Sequence, residues 1–323
     1  MRPLRVLTWH VHGSYLYYLA QAPHLFYLPA KPGRPEGYGA RSGGFPWPDN
    51  VVEVPADDVA DLELDCIVFQ SRKNYLHDQH EILTPEQRLL PRIYLEHDPP
   101  REHPTDTRHP ADDPDVLLVH VTAFNDLMWD SGRSPTRVIE HGVLVPEGVT
   151  YQGDLDKGIA VVNGLDWRGR RVGSDIFERA RAQVPLDLVG MGSEALGGLG
   201  EIPLDRLPKF IARYRFFFNP IRYTSLGLAV CEAMMLGMPI VGLATTQMSV
   251  TVQNGVSGYV DTDVDELIRR MRELIADPRR ARELSEGARA YARNRFNIRR
   301  FVSDWNEALA QVTSPVDAVA ARR

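Results

Sequence analysis

Cysteine is nearly absent: Cys66 and Cys231 are the only two in 323 residues, too few and too isolated for a disulfide framework or a thiolate metal cage. Both suit buried thiols in a reducing compartment, and the cytoplasm is the expected location. Lysine is scarce, and none stands in a setting suited to a pyridoxal phosphate Schiff base. Basic charge is not in excess either. The formal net charge of -6 gives no uniform surface for nucleic acid, although Arg168, Arg170 and Arg171 form a local patch able to meet a phosphate. Long apolar runs are missing too. Met1 to His10 passes directly into a strand pattern without the apolar block of a signal peptide. The most lipophilic stretch, residues 14–28, contains Gln21, Pro23 and His24 and falls short of a bilayer span. It is expected to be a core helix; association with a membrane surface is a weaker alternative that nothing else indicates.

What is present is an ordinary globular composition, 43% hydrophobic and 25% charged, in a chain long enough for two domains that each bury a core. Short β-rich runs at residues 5–9, 66–70, 92–97, 116–122 and 137–143 alternate with helical or loop segments, the pattern of a parallel α/β sheet. Residues 33–55, dense in Gly and Pro, and residues 99–114, dense in Asp, His and Pro, read as long loops. A turn-rich linker is expected over 144–158. Strands then follow at 159–164, 186–189, 216–219, 240–243 and 258–260. The expected domains are residues 1–148 and 152–297, with a C-terminal helix over about 298–314 that returns to the first. Asp175 with Glu178, and Asp263 with Glu266, have capping-box spacing, and Asp277-Pro278 suits a cap and first turn. The Ala- and Val-rich tail after Ser314 is expected to fray.

The stretch from Phe216 to Val241 carries the chemistry. A buried strand ends at Asn219-Pro220, a loop crosses Arg222 to Ser225, and a helix is expected from Leu226. Such a unit points free N–H groups and the positive end of a helix dipole beyond the strand, which suits a phosphate. Gly227 permits close approach. Glu232 is an acid in an apolar frame of Ala229, Val230, Met234 and Met235, with a ribose diol as one plausible partner. In the first half, His97 follows a strand, and His10, His12 and Gly13 follow another, at the edge where open sheets place ligands. No Cys or carboxylate near His10 and His12 completes a metal site. Asp98 before Pro99-Pro100 reads better as a turn residue. Residues 33–47, with Tyr38, Arg41 and Trp47, are either an acceptor cover or a plain surface excursion.

Leu226-Gly227-Leu228, Glu232-Ala233-Met234 and Gly237-Met238-Pro239-Ile240-Val241 match in order and spacing the nucleotide-sugar motif of retaining glycosyltransferases with the GT-B fold, the group 1 (family 4-like) enzymes. Val189-Gly190-Met191-Gly192, Leu199-Gly200-Glu201-Ile202 and residues 254–260 also fall where that family has counterparts. The resemblance is weaker in the first half, at Glu96-His97-Asp98 and Glu140-His141-Gly142-Val143. It implies two Rossmann-like domains facing across a cleft, the donor on the C-terminal domain and the acceptor mainly on the other. It also implies transfer of a sugar from a nucleoside diphosphate sugar to an acceptor hydroxyl, with retention and without a bound metal or other cofactor. By position Glu232 would take the ribose, Ser225, Leu226, Gly227 and Leu228 the phosphates and sugar, and the backbone near Gly200 and Ile202 the base. His97 and Thr224 are the candidate catalytic positions.

Two departures stand out. The family's first acid falls on Thr224, eight positions before Glu232, and threonine supplies no carboxylate to a sugar hydroxyl. The family's lysine falls on Val172, so the phosphate cation has to come from Arg171, Arg168 or Arg170. Arg222 and Tyr223, directly before Thr224, are candidates to replace the missing acid's contacts. The competing readings are a GT-B-like binding or partner protein without turnover, motivated by Thr224, and a dinucleotide-dependent oxidoreductase. The second lacks the Gly-x-Gly-x-x-Gly signature at His10 to Ser14. Donor base, donor sugar and acceptor are not legible.

Overall fold

The alternation of strands and helices builds two separate parallel sheets in a computed structural model that describes residues 2–314; the tail expected to fray lies outside the described residues. Contacts divide the chain into one unit of Met1–Gly142 with the helix that starts at Ile298, and a second of Val143–Asn297. Among the described residues the first sheet holds β1 (Arg5–Thr8), β2 (Leu25–Ala30), β3 (Val51–Pro55), β4 (Cys66–Phe69), β5 (Arg92–Glu96), β6 (Val116–His120) and β7 (Thr136–Val138). Their order is β3-β2-β1-β4-β5-β6-β7. The second holds β8 (Leu155–Val161), β9 (Leu186–Val189), β10 (Tyr214–Asn219), β11 (Ile240–Leu243) and β12 (Gly258–Asp261), ordered β12-β11-β10-β8-β9. Both are doubly wound orders with a single reversal, between β1 and β4 in one and between β8 and β10 in the other.

The helices of the first unit are α1 (Gly13–Leu19), α2 (Gln79–Ile82) and α3 (Ala123–Met128); α4 (Ser174–Arg181), α5 (Leu207–Ile211), α6 (Leu228–Leu236), α7 (Met248–Thr251), α8 (Val264–Ala276) and α9 (Pro278–Arg295) belong to the second. The last, α10 (Ile298–Thr313), buries Phe301, Trp305 and Leu309 and joins the first unit, where Trp305 Nε1 donates to the Tyr15 hydroxyl at 3.1 Å. β4, β6, β10 and β11 are buried along their whole length, as strands covered on both faces must be. Two cores result. Trp9, Ile67, Phe69 and Leu118 centre the first; Phe177, Phe216, Phe218, Leu267 and Met271 centre the second.

Several local expectations need correction. Residues 14–28 are not one helix: α1 ends at Leu19, and Leu25 opens β2. Asn50 Nδ2 donates to the carbonyls of Ala20, Ala22 and His24 at 3.1, 3.0 and 2.7 Å, fixing the intervening turn from outside the segment. Residues 33–55 are not loop throughout, because Val51–Pro55 is β3. Pro29 is tolerated in β2 because it lies beyond Tyr27, the last residue paired with β1. The linker is shorter than expected, with β8 opening at Leu155 on the exposed Asp156 and Lys157. Asp277 caps α9 through the N–H groups of Arg279 and Arg280. Asp263 caps α8, but Glu266 turns to Arg269 and Arg270 rather than back to the cap. At α4 the cap is Gly173, and Asp175 lies in the first turn with another task.

Candidate functional site

In the second unit the reversal of strand order brings together the loops that follow β8 and β10. They close on each other backbone to backbone. Gly173 adopts φ 84°, and a Cβ there would stand 1.9 Å from the carbonyl oxygen of Pro220. The N–H groups of Arg222 and Tyr223 both donate to the Arg171 carbonyl, at 3.0 and 3.2 Å. Glycine at 173 is therefore demanded twice, by conformation and by space.

Gly227 is the opposite case. It caps α6 at φ -70° and ψ 136°, a conformation open to any residue, and a Cβ built on it would meet nothing within 4 Å. Neither backbone nor packing requires glycine, so open space lies directly over the start of α6, where the first-turn N–H groups emerge. α6 begins at Leu228, two residues later than expected: Leu226 is buried at 5% exposure, and Gly227 after it is still extended. Glu232 consequently lies just over one turn into the helix, partly exposed beside buried Val230, Cys231, Ala233 and Met234. Ser225 is buried, while Thr224 and Leu228 stay partly exposed.

The basic residues around these loops are organised by Asp175. Its carboxylate accepts from Arg222 Nη1 and Nη2 at 2.5 and 2.8 Å and from Arg170 Nη1 at 2.5 Å. The Arg222 hydrogen bonds, followed by the charges of Arg222 and Arg170, hold that carboxyl below the usual range, and the same pair raises Arg222. Arg222 Nη1 also donates to the Arg170 carbonyl at 2.7 Å. The guanidinium expected to replace a missing acid on a sugar is thus already forked onto a carboxylate of its own unit. Arg168 Nη1 donates to the Asn163 carbonyl at 3.1 Å, and Arg171 is partly buried beside the loop junction. Across β9, the Gly200 N–H donates to Ser193 Oγ at 2.9 Å and its carbonyl accepts from Gly190 N at 3.0 Å. Gly200 therefore uses both polar backbone groups inside its loop, while Glu201 is exposed and Ile202 partly so.

In the first unit, residues 33–47 pack back onto the end of β1 with Tyr38 and Trp47 buried. His10 Nδ1 lies 2.5 Å from the Ala40 carbonyl oxygen. A Cβ on Gly13 would stand 2.7 Å from Phe45 Cε2 and 2.8 Å from His10 Nε2, so packing alone accounts for glycine there. Gln70, at the end of β4, donates through Nε2 to Thr8 Oγ1 and the Trp9 carbonyl at 2.9 and 2.7 Å. Its Oε1 is thereby turned to His97 Nε2 at 3.2 Å, which makes the Nε2–H tautomer of His97 the donor. Burial, then the neighbouring His12 and His141, pushes the His97 imidazolium well below the ordinary histidine range. The His12 ring is 4.2 Å away and the Tyr15 ring 4.9 Å. His97 is a neutral base or donor at physiological pH. Asp98 has a turn role, with its carbonyl accepting from Trp129 Nε1 at 2.8 Å.

Of the residues singled out from sequence, the fold gathers Arg168, Arg171, Arg222, Thr224, Ser225, Leu226 and Gly227 on the loops at the second reversal, Leu228 and Glu232 on the helix α6 that follows, and Gly200 and Ile202 on the loop after β9. Gly13 and His97 lie at the ends of β1 and β5 in the other unit. Sequence reasoning missed Asp175 and Gln70. Asp175 was read from sequence as a capping-box N-cap, but it lies in the first turn and its partner Arg222 is 47 positions away; Gln70 carried no signal beyond its place at a strand end. Among the described residues no group of three His, Cys, Asp or Glu side chains is arranged to hold a metal ion, and no helix is long and apolar enough to cross a membrane.

Residues 156–277, which include most of these loops, match the family model for glycosyl transferases group 1. A GDP-mannose-dependent alpha-(1-6)-phosphatidylinositol monomannoside mannosyltransferase of Mycolicibacterium smegmatis is 32% identical over 107 residues, 30% of this chain and 28% of that relative. The matched part thus spans under a third of the relative's length. Over nearly the whole chain the fold is similar to sucrose-phosphate synthase of Thermosynechococcus elongatus, with a TM-score of 0.70 and 16% identity across 96% of this chain and 99% of the other. It is also similar to HepE of Anabaena, solved in complex with UDP, with a TM-score of 0.68 and 16% identity across 96% of this chain and 100% of the other. The fold is GT-B, with one Rossmann-like domain in each unit.

Proposed function

We propose that this protein is a glycosyltransferase that moves a sugar from a nucleoside diphosphate sugar to an acceptor hydroxyl, with retention of anomeric configuration, in the cytoplasm and without a bound metal. The observation that carries the reading is Gly227: a glycine with no internal reason to be glycine, at the N-terminus of α6, with open space above it and a carboxylate, Glu232, on the same helix. Diphosphate oxygens would receive the first-turn N–H groups of α6, and Glu232 would accept from the ribose hydroxyls. Arg168 and Arg171 would offset the charge that develops on the leaving diphosphate. The family match over residues 156–277 supports this assignment. The acceptor would bind on the first unit near His97, whose neutral imidazole would help orient a hydroxyl. The leaving phosphate would then take the hydroxyl proton during front-face attack, since no side chain is placed as a covalent nucleophile.

Thr224 favours a second reading, a nucleotide-binding protein without turnover, because no carboxylate stands where the family's first acid does and Arg222 is engaged by Asp175. One experiment separates the two. Thermal shift of the purified chain is measured with UDP, GDP, ADP and TDP and their common sugar conjugates, alongside Glu232→Ala, and donor hydrolysis or transfer is followed for any conjugate that binds. Stabilisation by one nucleotide, lost in Glu232→Ala, with donor consumed, is the expected result. Binding without consumption across an acceptor panel would favour the second reading, and no stabilisation by any nucleotide would remove the donor site.

A further inference from the structure

Trp167 is 62% exposed, yet its indole is firmly seated. A Cβ on Gly192 would stand 2.1 Å from its Cζ3, and one on Gly164 would stand 2.5 Å from its Cε2. Both glycines are left-handed, at φ 71° and 64°, so the chain combines two left-handed turns with two missing side chains to lay one ring against backbone. The two loops are tied together beneath it: Gly164 N donates to the Met191 carbonyl at 2.9 Å, and Met191 N donates to Asn163 Oδ1 at 2.9 Å. Met191 itself is 51% exposed beside this junction. Held by these two glycines and 62% exposed, the indole offers aromatic surface to solvent beyond the carboxyl ends of β8 and β9.

We propose that Trp167 is the platform on which the nucleobase of the donor stacks. The assignment rests on the nucleotide-sugar reading above and adds to it a specificity residue and a binding direction. The segment after β8 carries Trp167 at its middle and the Gly173 junction with the β10 loop at its end. Trp167 leans toward β9, through Gly192, whereas the phosphate-facing N-terminus of α6 follows β10, on the other side of β8. Two strand spacings separate β9 from β10, roughly 10 Å, a span that a ribose and two phosphates cover. A ligand with a flat aromatic ring at one end and an anion at the other fits this arrangement. Stacking tolerates any base but rewards the larger face, so purine nucleotides gain more from the contact than pyrimidine ones.

Trp167 is the only tryptophan between residues 143 and 297, and quenching in the full chain that is lost in Trp167→Ala reports the contact. GDP, ADP, UDP and inorganic pyrophosphate are titrated into the full chain and into Trp167→Ala and Trp167→Phe, with affinity read by calorimetry and quenching by fluorescence. Expected are quenching of the wild type by GDP and a roughly ten- to hundredfold weaker GDP affinity in Trp167→Ala. The loss is smaller in Trp167→Phe, and pyrophosphate affinity is unchanged. GDP affinity in Trp167→Ala within twofold of wild type would overturn the platform while leaving the nucleotide site standing. An equal loss of pyrophosphate affinity would make Trp167 a structural residue and overturn it as well. Failure of every nucleoside diphosphate to bind the wild type would instead remove the nucleotide reading, and the platform with it.

Discussion

Two glycines on the loops that meet at the second reversal do opposite work, and substitution separates them. At Gly173 an added methyl meets the Pro220 carbonyl at 1.9 Å from a left-handed backbone. Gly173→Ala should therefore destabilise by about 2 kcal/mol or more, from strain at positive φ together with forced separation of the two loops. At Gly227 the same methyl enters open space from an ordinary backbone. Gly227→Ala should leave the urea midpoint within about 0.5 kcal/mol of wild type and, on the proposed phosphate placement, lower nucleotide affinity, because the methyl would occupy the space proposed for phosphate. Urea unfolding and calorimetry with the nucleotide found by thermal shift measure both quantities on both variants. A Gly227→Ala variant with wild-type affinity would show that no ligand approaches α6 at that point.

At the scale of elements, Arg215 joins pieces that sequence spacing keeps apart. It is 3% exposed in β10, and its Nε donates to the Gly153 carbonyl at 2.9 Å. Its Nη1 donates to the Leu274 and Ile275 carbonyls at 3.1 and 2.9 Å, and Nη2 pairs with Asp156. The last turn of α8 is thereby capped from the sheet. Arg215→Leu removes these donors at once and should cost about 3 kcal/mol in urea unfolding followed by far-UV circular dichroism; a shift below about 1 kcal/mol would mean that water replaces the guanidinium. The same residue explains why β10 starts earlier than its sequence suggests. A charged side chain reads as the end of a strand unless its partners are known, so the run from Phe216 was legible and Tyr214-Arg215 was not. β11 stood out because a continuous apolar run carries its own boundaries, and β9 because Leu186, Leu188 and Val189 flank a single charged residue. β8 hid its first residues behind Asp156 and Lys157, and β2 and β3 were lost to a turn that Asn50 holds from a distance. The site shows the same division. Gly227 and Glu232 were legible because one strand–loop–helix segment carries both, whereas the tie of Asp175 to Arg222 needed two loops 47 residues apart, within the second unit, folded against each other.

Across the whole molecule, titration is unevenly distributed: all ten histidines precede residue 142, so Val143–Asn297 contains none. Within the first unit, burial lowers His24, His97 and His120, the last to about 3 with a further push from His109. The sign follows from which state holds the proton. Above the ordinary histidine value both folded and unfolded chains carry neutral imidazole, and these groups leave stability unchanged. As pH falls through that value, the unfolded chain binds protons that the folded unit refuses, so stability declines down to the depressed folded-state value. Between pH 7.5 and pH 5, His120 alone should lower the stability of the first unit by about 2 kcal/mol. In the second unit, salt-bridged carboxyls such as Glu266, held at about 2 by Arg269 and Arg270, stay ionised throughout that window. Urea titrations at the two pH values resolve the units through their tryptophans, because Trp9, Trp47, Trp129 and Trp305 report the first and Trp167 the second. The first transition should move to lower urea at pH 5 while the second holds its midpoint. In His120→Gln the shift of the first should shrink by about 2 kcal/mol whatever the variant's stability at pH 7.5. A shift of equal size in both transitions would place the acid-sensitive groups outside the buried histidines.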